Sequence, residues 1–339
     1  MRPIERWAAR RFCETFTSQM HVVAVFPSYE LTWHYFLGQL VTGLTLGSLY
    51  ALLALGYSMV YGILKLLNFA HGDVYMIGSY IGYFVLTAFG GAASPSIPIA
   101  LLFALMFIAA MLGCGVLGVA IERFAYRPLR HAPRIAPLIS ALGVSFFLQQ
   151  SAVLLFGSIP KQYGTYSYDN GKLFEQITIG PFQIQYAQLL VIGGALILMA
   201  GLLFLVHRTT IGKAMRATSF DIEAASMMGI NVDRVIVFTF LIGSALAGAA
   251  GVMNGIVYQN VAPYIGFQAG LRAFTAAVVG GIGSIVGAMV GGITIGIAQA
   301  FATGYLSSTF QDVIVFSVLI IFMLVRPSGF FGTPAIQKV

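Results

Sequence analysis

The chain has 339 residues, of which 58% are hydrophobic and only 9% charged, and its mean hydropathy is +0.88. This composition excludes an ordinary soluble domain and indicates a polytopic membrane protein. The net charge of +7 does not indicate a nucleic-acid-binding protein, because Lys and Arg are scattered through short loops between apolar runs, where they orient membrane helices.

The first segment, residues 1–35, is an arginine-rich tail with a short apolar patch at 21–26. The patch is too short to span a bilayer, and no small-residue cleavage site follows it, so we do not expect a signal peptide. We expect either a weakly amphipathic surface segment or an over-extended start of the gene, since Met20 is an alternative initiator. Cys13 and Cys114 indicate neither a disulfide framework nor a metal site.

Apolar runs long enough to cross a bilayer, which takes roughly 20 residues, follow the tail. They lie near 36–62, 74–92, 97–121, 136–157, 187–206, 234–258 and 310–325, with a glycine-broken region at 270–304. If that region crosses twice, the fold is an all-α polytopic membrane protein with about eight or nine transmembrane helices. The small residues shared by 43–61 and 242–258 point to an internal repeat.

Two short basic loops give the orientation. They contain Arg123, Arg127, Arg130 and Arg134 in the first loop, and Arg208, Lys213, Arg216 and Arg234 in the second. The positive-inside rule places both loops in the cytoplasm. Residues 158–185 then form an outer loop, and their Tyr, Asn, Gly and Gln content suits one. The same count puts the tail outside, against its own arginines, and the C-terminus inside.

Two segments interrupt the apolar pattern with polar residues and glycines. They contain Asn68, His71 and Asp73 in the first half and Gly280, Gly281, Gly283 and Ser284 in the second. Unwound backbone is tolerated at membrane depth only where it is enclosed by protein or lines water, so we predict that both segments face one translocation pathway. The alternatives are a solvated surface turn for the first group and close helix packing for the glycines.

The polar stretch 208–234, which we call the island, separates two apolar runs. Each of its charges would cost about 2.5 to 3.5 kcal/mol at the bilayer centre, so the island lies in water. Helix formers from 212 to 228, a cap at Asp221 and a stop at Gly229 and Asn231 predict a short helix-turn-helix.

Glu223-Ala224-Ala225, followed by Gly229, resembles the EAA-x-x-x-G loop of ABC importer permeases, whose short coupling helix docks on a cytoplasmic ATPase. The longer motif continues with I-x-L-P, and no proline stands at that place here. The alternative is an ordinary cytoplasmic loop helix that packs on its own bundle.

Several catalytic motifs do not occur in the sequence. There is no G-x-x-x-x-G-K-[ST] for nucleotide hydrolysis, no H-E-x-x-H, no C-x-x-C and no G-x-S-x-G. We therefore expect a chain that is not an enzyme and has no ATPase site of its own.

Longer stretches are similar to the LivH-type permeases of bacterial branched-chain amino-acid ABC importers. These stretches are LTLGSLYAL at 44–52, NFAHGDVYMIGSY at 68–80, IERFAYRP at 121–128, GINVDRVI at 229–236, PYIGF at 263–267 and FTAAVVGGIGS at 274–284. The resemblance covers residues 36 to about 332 and identifies them as a permease domain.

The resemblance implies a multi-pass subunit of the bacterial inner membrane that translocates leucine, isoleucine and valine. Its implied partners are a second, homologous permease, two cytoplasmic ATPases that use the ATP, and a periplasmic substrate-binding protein; no cofactor is implied for the chain itself. A sister permease for urea, short amides or other amino acids is the main alternative. A stand-alone channel or carrier would need an ionisable relay, and the predicted spans are nearly free of Asp, Glu, Lys and Arg.

Overall fold

The computed structural model describes residues 33–89, 98–130, 132–133, 135–164, 175–179 and 182–332. Most of the tail 1–35, much of the loop 158–185, and Arg134 lie outside these residues. Within them the chain is a helical bundle, as predicted. Its helices are α1 (Trp33–Leu64), α2 (His71–Ala88), α3 (Ile99–Ile121), α4 (Ile135–Phe156), α5 (Tyr186–Arg208), α6 (Thr210–Phe220), α7 (Ile222–Met227), α8 (Val232–Tyr258), α9 (Ile265–Gly280), α10 (Ile285–Phe301) and α11 (Gln311–Val325).

Seven of the helices in the described part of the chain are long and apolar enough to cross a membrane. α9 is a shorter apolar helix, and α2 has 18 residues. Together they agree with the predicted eight or nine spans. The first helix starts at Trp33, so the end of the predicted tail belongs to α1.

Short strands accompany the helices. β1 (Lys161–Gln162) pairs antiparallel with β4 (Asn260–Val261), and β2 (Gln176–Ile179) pairs antiparallel with β3 (Phe182–Gln185). The predicted outer loop therefore contains ordered strands, and β1 ties its start to the end of α8.

We call the end of the bundle at which the island lies the island end, and the opposite end the far end. At the island end α1 finishes beside the turn that joins α9 to α10, where Gly62 faces Gly283, and Met215 of α6 packs into the main apolar core. At the far end α8 finishes at Tyr258 and β1 pairs with β4. α1 therefore runs toward the island end and α8 runs away from it.

α2 begins inside the bundle rather than at its surface. Its first residue, His71, lies against Gly56 of α1, about two helical turns before α1 ends. The connection 65–70 therefore leads from the island end into the interior, and its Asn68 and Ala70 are buried. Enclosure by protein is what lets irregular backbone exist at membrane depth.

α9 also begins inside the bundle, but it is entered from the far end. The connection 259–264 leads inward from the end of α8, and Gly266 in the first turn of α9 faces Gly72 in the first turn of α2. A Cβ atom on either glycine would collide with the carbonyl oxygen of the other. The two helix starts therefore cross backbone against backbone, which small residues make possible.

Two groups of four helices, α1 to α4 before the island and α8 to α11 after it, follow the same order. We call them the first and the second unit. In each unit the residue after the first helix has left-handed backbone: Lys65 with φ 54° and Gln259 with φ 58°. An interior-starting helix follows, and then a third helix that ends in a π-helical and a 3₁₀ turn before the fourth. These turns are Glu122–Tyr126 and Arg127–Leu129 in α1 to α4, and Ala302–Leu306 and Ser308–Phe310 in α8 to α11.

The two units run in opposite directions across the bundle, since α1 heads toward the island end and α8 away from it. They also interlock: α3 of the first unit packs along α8 of the second, and α10 of the second packs along α1 of the first. This shared order of elements supports the internal repeat that the small residues of α1 and α8 indicate. Inverted repeats with discontinuous helices are a common plan of membrane transporters.

Candidate functional site

The island forms the predicted helix-turn-helix. Asp221 caps α7, because its carboxylate accepts hydrogen bonds from the backbone N–H groups of Glu223 and Ala224 at 2.9 and 3.0 Å. Gly229 ends the motif with left-handed backbone at φ 83°, and the side chain of Asn231 caps α8. These local caps fix the direction of α7 before any partner binds.

α7 has an inner and an outer face. Ala225 is 4% exposed and packs into the chain itself, whereas Glu223 and Ala224 are exposed. Met227 stands four residues after Glu223, so the two share one face of the helix. Met227 is 86% exposed and Phe220, at the end of α6, is 95% exposed. Exposed large apolar side chains of this kind are typical of contact surfaces.

We call Phe220, Glu223, Met227 and Met228 the docking face. Sequence reasoning named Glu223, Ala224, Ala225 and Gly229 and missed the three large apolar residues. The signal that could have found them was available, because Phe220, Met227 and Met228 are apolar residues inside a segment that must lie in water.

The structure buries Asn68, His71 and Asp73 in the interior. Their exposed fractions are 3%, 2% and 0%. The His71 ring packs edge-on against Tyr57 with centroids 4.9 Å apart, and Asp73 accepts a hydrogen bond from the hydroxyl of Ser145. The three residues therefore line the start of α2 as a buried polar cluster and not as the solvated surface turn of the alternative.

The turn Gly280 to Ser284 lies apart from this polar cluster, at the island end of the bundle. It is not an interruption within a span: it joins the antiparallel helices α9 and α10, with Gly281 at φ 105° and Gly283 at φ 92°. The interruption that matches 65–70 in the repeat is 259–264. Sequence reasoning could not see this, because apolar residues flank the turn on both sides just as they would flank a break in one helix.

The C-terminal segment covers this turn. The backbone N–H of Phe330 donates to the carbonyl of Val279 at 2.9 Å, and that of Phe331 donates to Gly280 at 3.0 Å. A small cavity of about 80 Å³ joins the turn to the island; its lining includes Ser58, Gly62, Met215, Arg216 and Gly283. The end of α1, the island and the glycine turn therefore meet at one place.

An ion-pair network ties the end of α3 to the first turn of α8. Arg130 pairs with Glu122 and with Asp233, the latter at 2.5 Å, and Arg127 pairs with Asp233 at 2.9 Å. The Glu122 side chain is 0% exposed, whereas those of Arg127 and Asp233 are 41% and 51% exposed. Sequence reasoning used these arginines only as orientation signals, because their partners lie on other elements.

The unequal burial of this network gives a test of its role. Arg130→Gln leaves the Glu122 carboxylate buried without its cationic partner, which should destabilise the permease by about 3 to 5 kcal/mol. Arg127→Gln removes only an exposed pair and should cost about 0 to 1 kcal/mol. Thermal unfolding of the two purified variants in the same detergent measures the difference. Equal melting temperatures for both variants would contradict a structural role for the buried pair.

A larger cavity lies in the far half of the bundle and was missed at the sequence level. Its volume is about 370 Å³, and its walls come from α1, α2, α8, α9, α10 and α11. Arg272 of α9 lines it, with a side chain that is 14% exposed. The signal was present, since Arg272 is an ionisable residue inside a predicted apolar region, and such residues are functional by default.

Comparison with known proteins finds similarity over nearly the same residues as the predicted permease domain 36–332. The family described as "Branched-chain amino acid transport system / permease component" matches residues 39–324. The chain is 44% identical over 306 residues to the high-affinity branched-chain amino acid transport system permease protein BraD of Pseudomonas aeruginosa, covering 90% of this chain and 99% of BraD.

Two further relatives are called LivH. The high-affinity branched-chain amino acid transport system permease protein LivH of Escherichia coli K12 is 44% identical over 310 residues, covering 90% of this chain and 98% of LivH. The probable branched-chain amino acid transport permease protein LivH of Methanocaldococcus jannaschii is 28% identical over 292 residues, covering 84% of this chain and 89% of that protein. The similarity therefore extends over both inverted units and the island.

Proposed function

Because the chain belongs to the family of permease components of branched-chain amino acid transport systems, we propose that it carries leucine, isoleucine and valine through the bacterial inner membrane. It is a multi-pass protein of that membrane and a subunit of an importer. The observation that carries the proposal is the match to such permeases along nearly the whole chain.

A permease component works with other subunits, and we propose their identity. They are a second permease of the same family, two ATPases on the cytoplasmic side and a periplasmic binding protein that delivers the amino acid. ATP is bound and hydrolysed by the ATPases, and the permease needs no cofactor of its own. This assignment agrees with a sequence that holds no G-x-x-x-x-G-K-[ST] segment.

The island end faces the cytoplasm in this proposal. The basic residues of the described chain support that orientation, because they concentrate at this end; they are Lys65, Arg123, Arg127, Arg130, Arg208, Lys213, Arg216, Arg234 and Arg326. Only Lys161 among the described basic residues lies at the far end, beside the paired strands, while Arg272 lies within the bundle.

We propose that α7, with Glu223, Ala224, Ala225 and Gly229, is the coupling element. Glu223 and Ala224 face the ATPase together with Phe220 and Met227, while buried Ala225 and left-handed Gly229 hold the helix in place. Motion of the docked island would reach the end of α1 and the turn Gly280 to Ser284 through the contacts around the small cavity.

We also propose that Asn68, His71 and Asp73, with Gly280, Gly281, Gly283 and Ser284, border the translocation pathway. The support for the first group is that ionisable side chains lie at an interior helix start, which transporters use at substrate sites. The support for the second is its position between the island and α1. Since the first group is enclosed in this structure, the pathway would open beside it when the two units move.

Transport by the assembled importer tests the proposal. Proteoliposomes that hold this permease, its partner permease and the ATPases should take up radiolabelled leucine only with ATP and the binding protein. Omitting the ATPases is the control, and it should reduce uptake to background. Leucine uptake at the full rate without ATPases would show a stand-alone channel, and ATP-driven uptake of urea without leucine uptake would show the sister permease.

A further inference from the structure

At one pair of equivalent positions, the first unit has a glycine and the second has an arginine. Counted from the first residue of each interior helix, Gly78 of α2 corresponds to Arg272 of α9. Gly78 is packed directly against the backbone of Gly248, which closes that side of the first unit. Arg272 instead faces the far-half cavity. The equivalent position is therefore occupied by close helix packing in the first unit, whereas in the second unit it places a cation at a cavity.

A chain of polar contacts surrounds Arg272. Its Nε and one terminal nitrogen both lie 2.8 Å from Oδ1 of Asp312 on α11, and its other terminal nitrogen is 3.4 Å from the hydroxyl of Tyr50. The Tyr50 hydroxyl donates to Gln299 at 2.8 Å, and Gln299 donates to Gln311 at 3.1 Å. The guanidinium carries five donors, and its two short contacts reach a single oxygen.

The cavity also has an apolar wall. Leu46 and Leu49 of α1 and Ile265 and Ala269 of α9 line it beside the polar chain. A space of about 370 Å³ falls within the range of small-ligand sites, which combine a mostly apolar lining with a few placed polar groups. One wall therefore suits an aliphatic side chain, and the other carries the cationic Arg272 beside neutral oxygen acceptors on Tyr50, Gln299 and Gln311. The carboxylate of Asp312 pairs with Arg272 but is not part of the lining.

We propose that this cavity is a binding site within the permease for the amino acid itself. Arg272 receives the α-carboxylate, and the side-chain oxygens of the lining residues Gln299 and Gln311 receive the α-ammonium group. The aliphatic side chain packs on Leu46, Leu49 and Ile265. This inference rests on the proposed function for its substrate class. The guanidinium of Arg272 complements the α-carboxylate, and charge-assisted hydrogen bonds are about twice as strong as neutral ones.

A cysteine placed in the cavity reports on occupancy directly. Thr42 lines the cavity, and Thr87 lies outside its lining at the end of α2; both hydroxyls bond to backbone carbonyls of their own helices. Thr42→Cys and the control Thr87→Cys are made with Cys13→Ser in the complete importer in nanodiscs, where Cys114 is buried. Reaction with a small maleimide is timed with leucine, with leucinamide, which lacks the carboxylate, and with 4-methylpentanoate, which lacks the amine.

Leucine should slow modification of the Thr42→Cys importer at least about tenfold, while leucinamide and 4-methylpentanoate should protect far less. The Thr87→Cys importer should react at the same rate in every case. Arg272→Gln should remove the leucine effect, and Arg272→Lys should keep part of it. Equal protection of Thr42→Cys by leucine and leucinamide, or no protection of its thiol by leucine, overturns the site.

The failure of this site can be told from failure of the proposed function. If the wild-type importer takes up leucine and Arg272→Gln retains the wild-type KM and rate, the site is wrong and the function stands. If the wild-type importer takes up no leucine, the proposed function fails. Should Arg272→Gln not assemble, the three-ligand comparison on Thr42→Cys decides, since it leaves Arg272 in place.

Discussion

Met227→Asp is expected to detach the permease from its ATPases and to abolish ATP-driven leucine uptake. Met227 lies on the docking face, 86% exposed and on the same side of α7 as Glu223. A carboxylate in the centre of an apolar contact is desolvated without a partner. A residue that dominates such a contact contributes about 2 kcal/mol or more, which is about thirtyfold in affinity. Co-purification of ATPase with tagged permease, measured alongside uptake, gives the result.

Met227→Leu is the matched control, because it keeps an apolar side chain of similar volume and should retain both ATPase and transport. Glu223→Arg should also weaken association, through loss of a charge on the same face. Ala225→Trp is a different case: Ala225 is buried, so the variant should disturb the island itself. ATPase retained at full stoichiometry by Met227→Asp, Glu223→Arg and Phe220→Asp together would contradict docking at this face.

Gly72→Ala is expected to cause a large loss of folded permease. A methyl group there would collide with the carbonyl oxygen of Gly266 and would lie 2.9 Å from Cα of Gly270, so backbone must move. Overpacking of this kind costs about 1 to 3 kcal/mol, and more when backbone is the obstacle. The melting temperature of the purified protein and the amount of protein in the membrane are the measurements.

Gly143→Ala provides the matched control for that substitution. Gly143 also lies within a helix, but a Cβ there would meet no atom within 4 Å. Alanine should be neutral or should stabilise by about 0.4 to 1 kcal/mol, because it restricts the unfolded chain. A Gly72→Ala protein as stable as Gly143→Ala would show that the crossing of α2 and α9 can relax.

The helices were predictable because a membrane imposes a simple rule on sequence. The run 234–258 was found almost to the residue, as α8 is Val232–Tyr258, since charged Asp233 and Arg234 end the apolar pattern at one side. The capped turn of the island was equally readable, because Asp221 and Gly229 satisfy local backbone groups and need no distant partner.

Contacts between elements that are distant in the sequence could not be predicted from local patterns. Glu122 and Asp233 are joined by Arg130 although they lie on helical elements from different units, and no local spacing encodes that pairing. Asn68, His71 and Asp73 were recognised as unusual from residue type alone, but their complete burial follows from α1, α8 and α9 folding around them. Arg272 could be recognised in the sequence as an unusual residue, but its pairing with Asp312 could not.

The crossing of Gly72 and Gly266 has a consequence for the genetics of this permease. Each glycine excludes a side chain on the other, so a substitution at either position damages the same contact. A second-site suppressor at the opposite glycine is ruled out, because that residue has no side chain left to shrink. Relief would have to come from positions that shift a whole helix, and suppressor mutations should therefore be found along α1 and α8, away from the crossing itself.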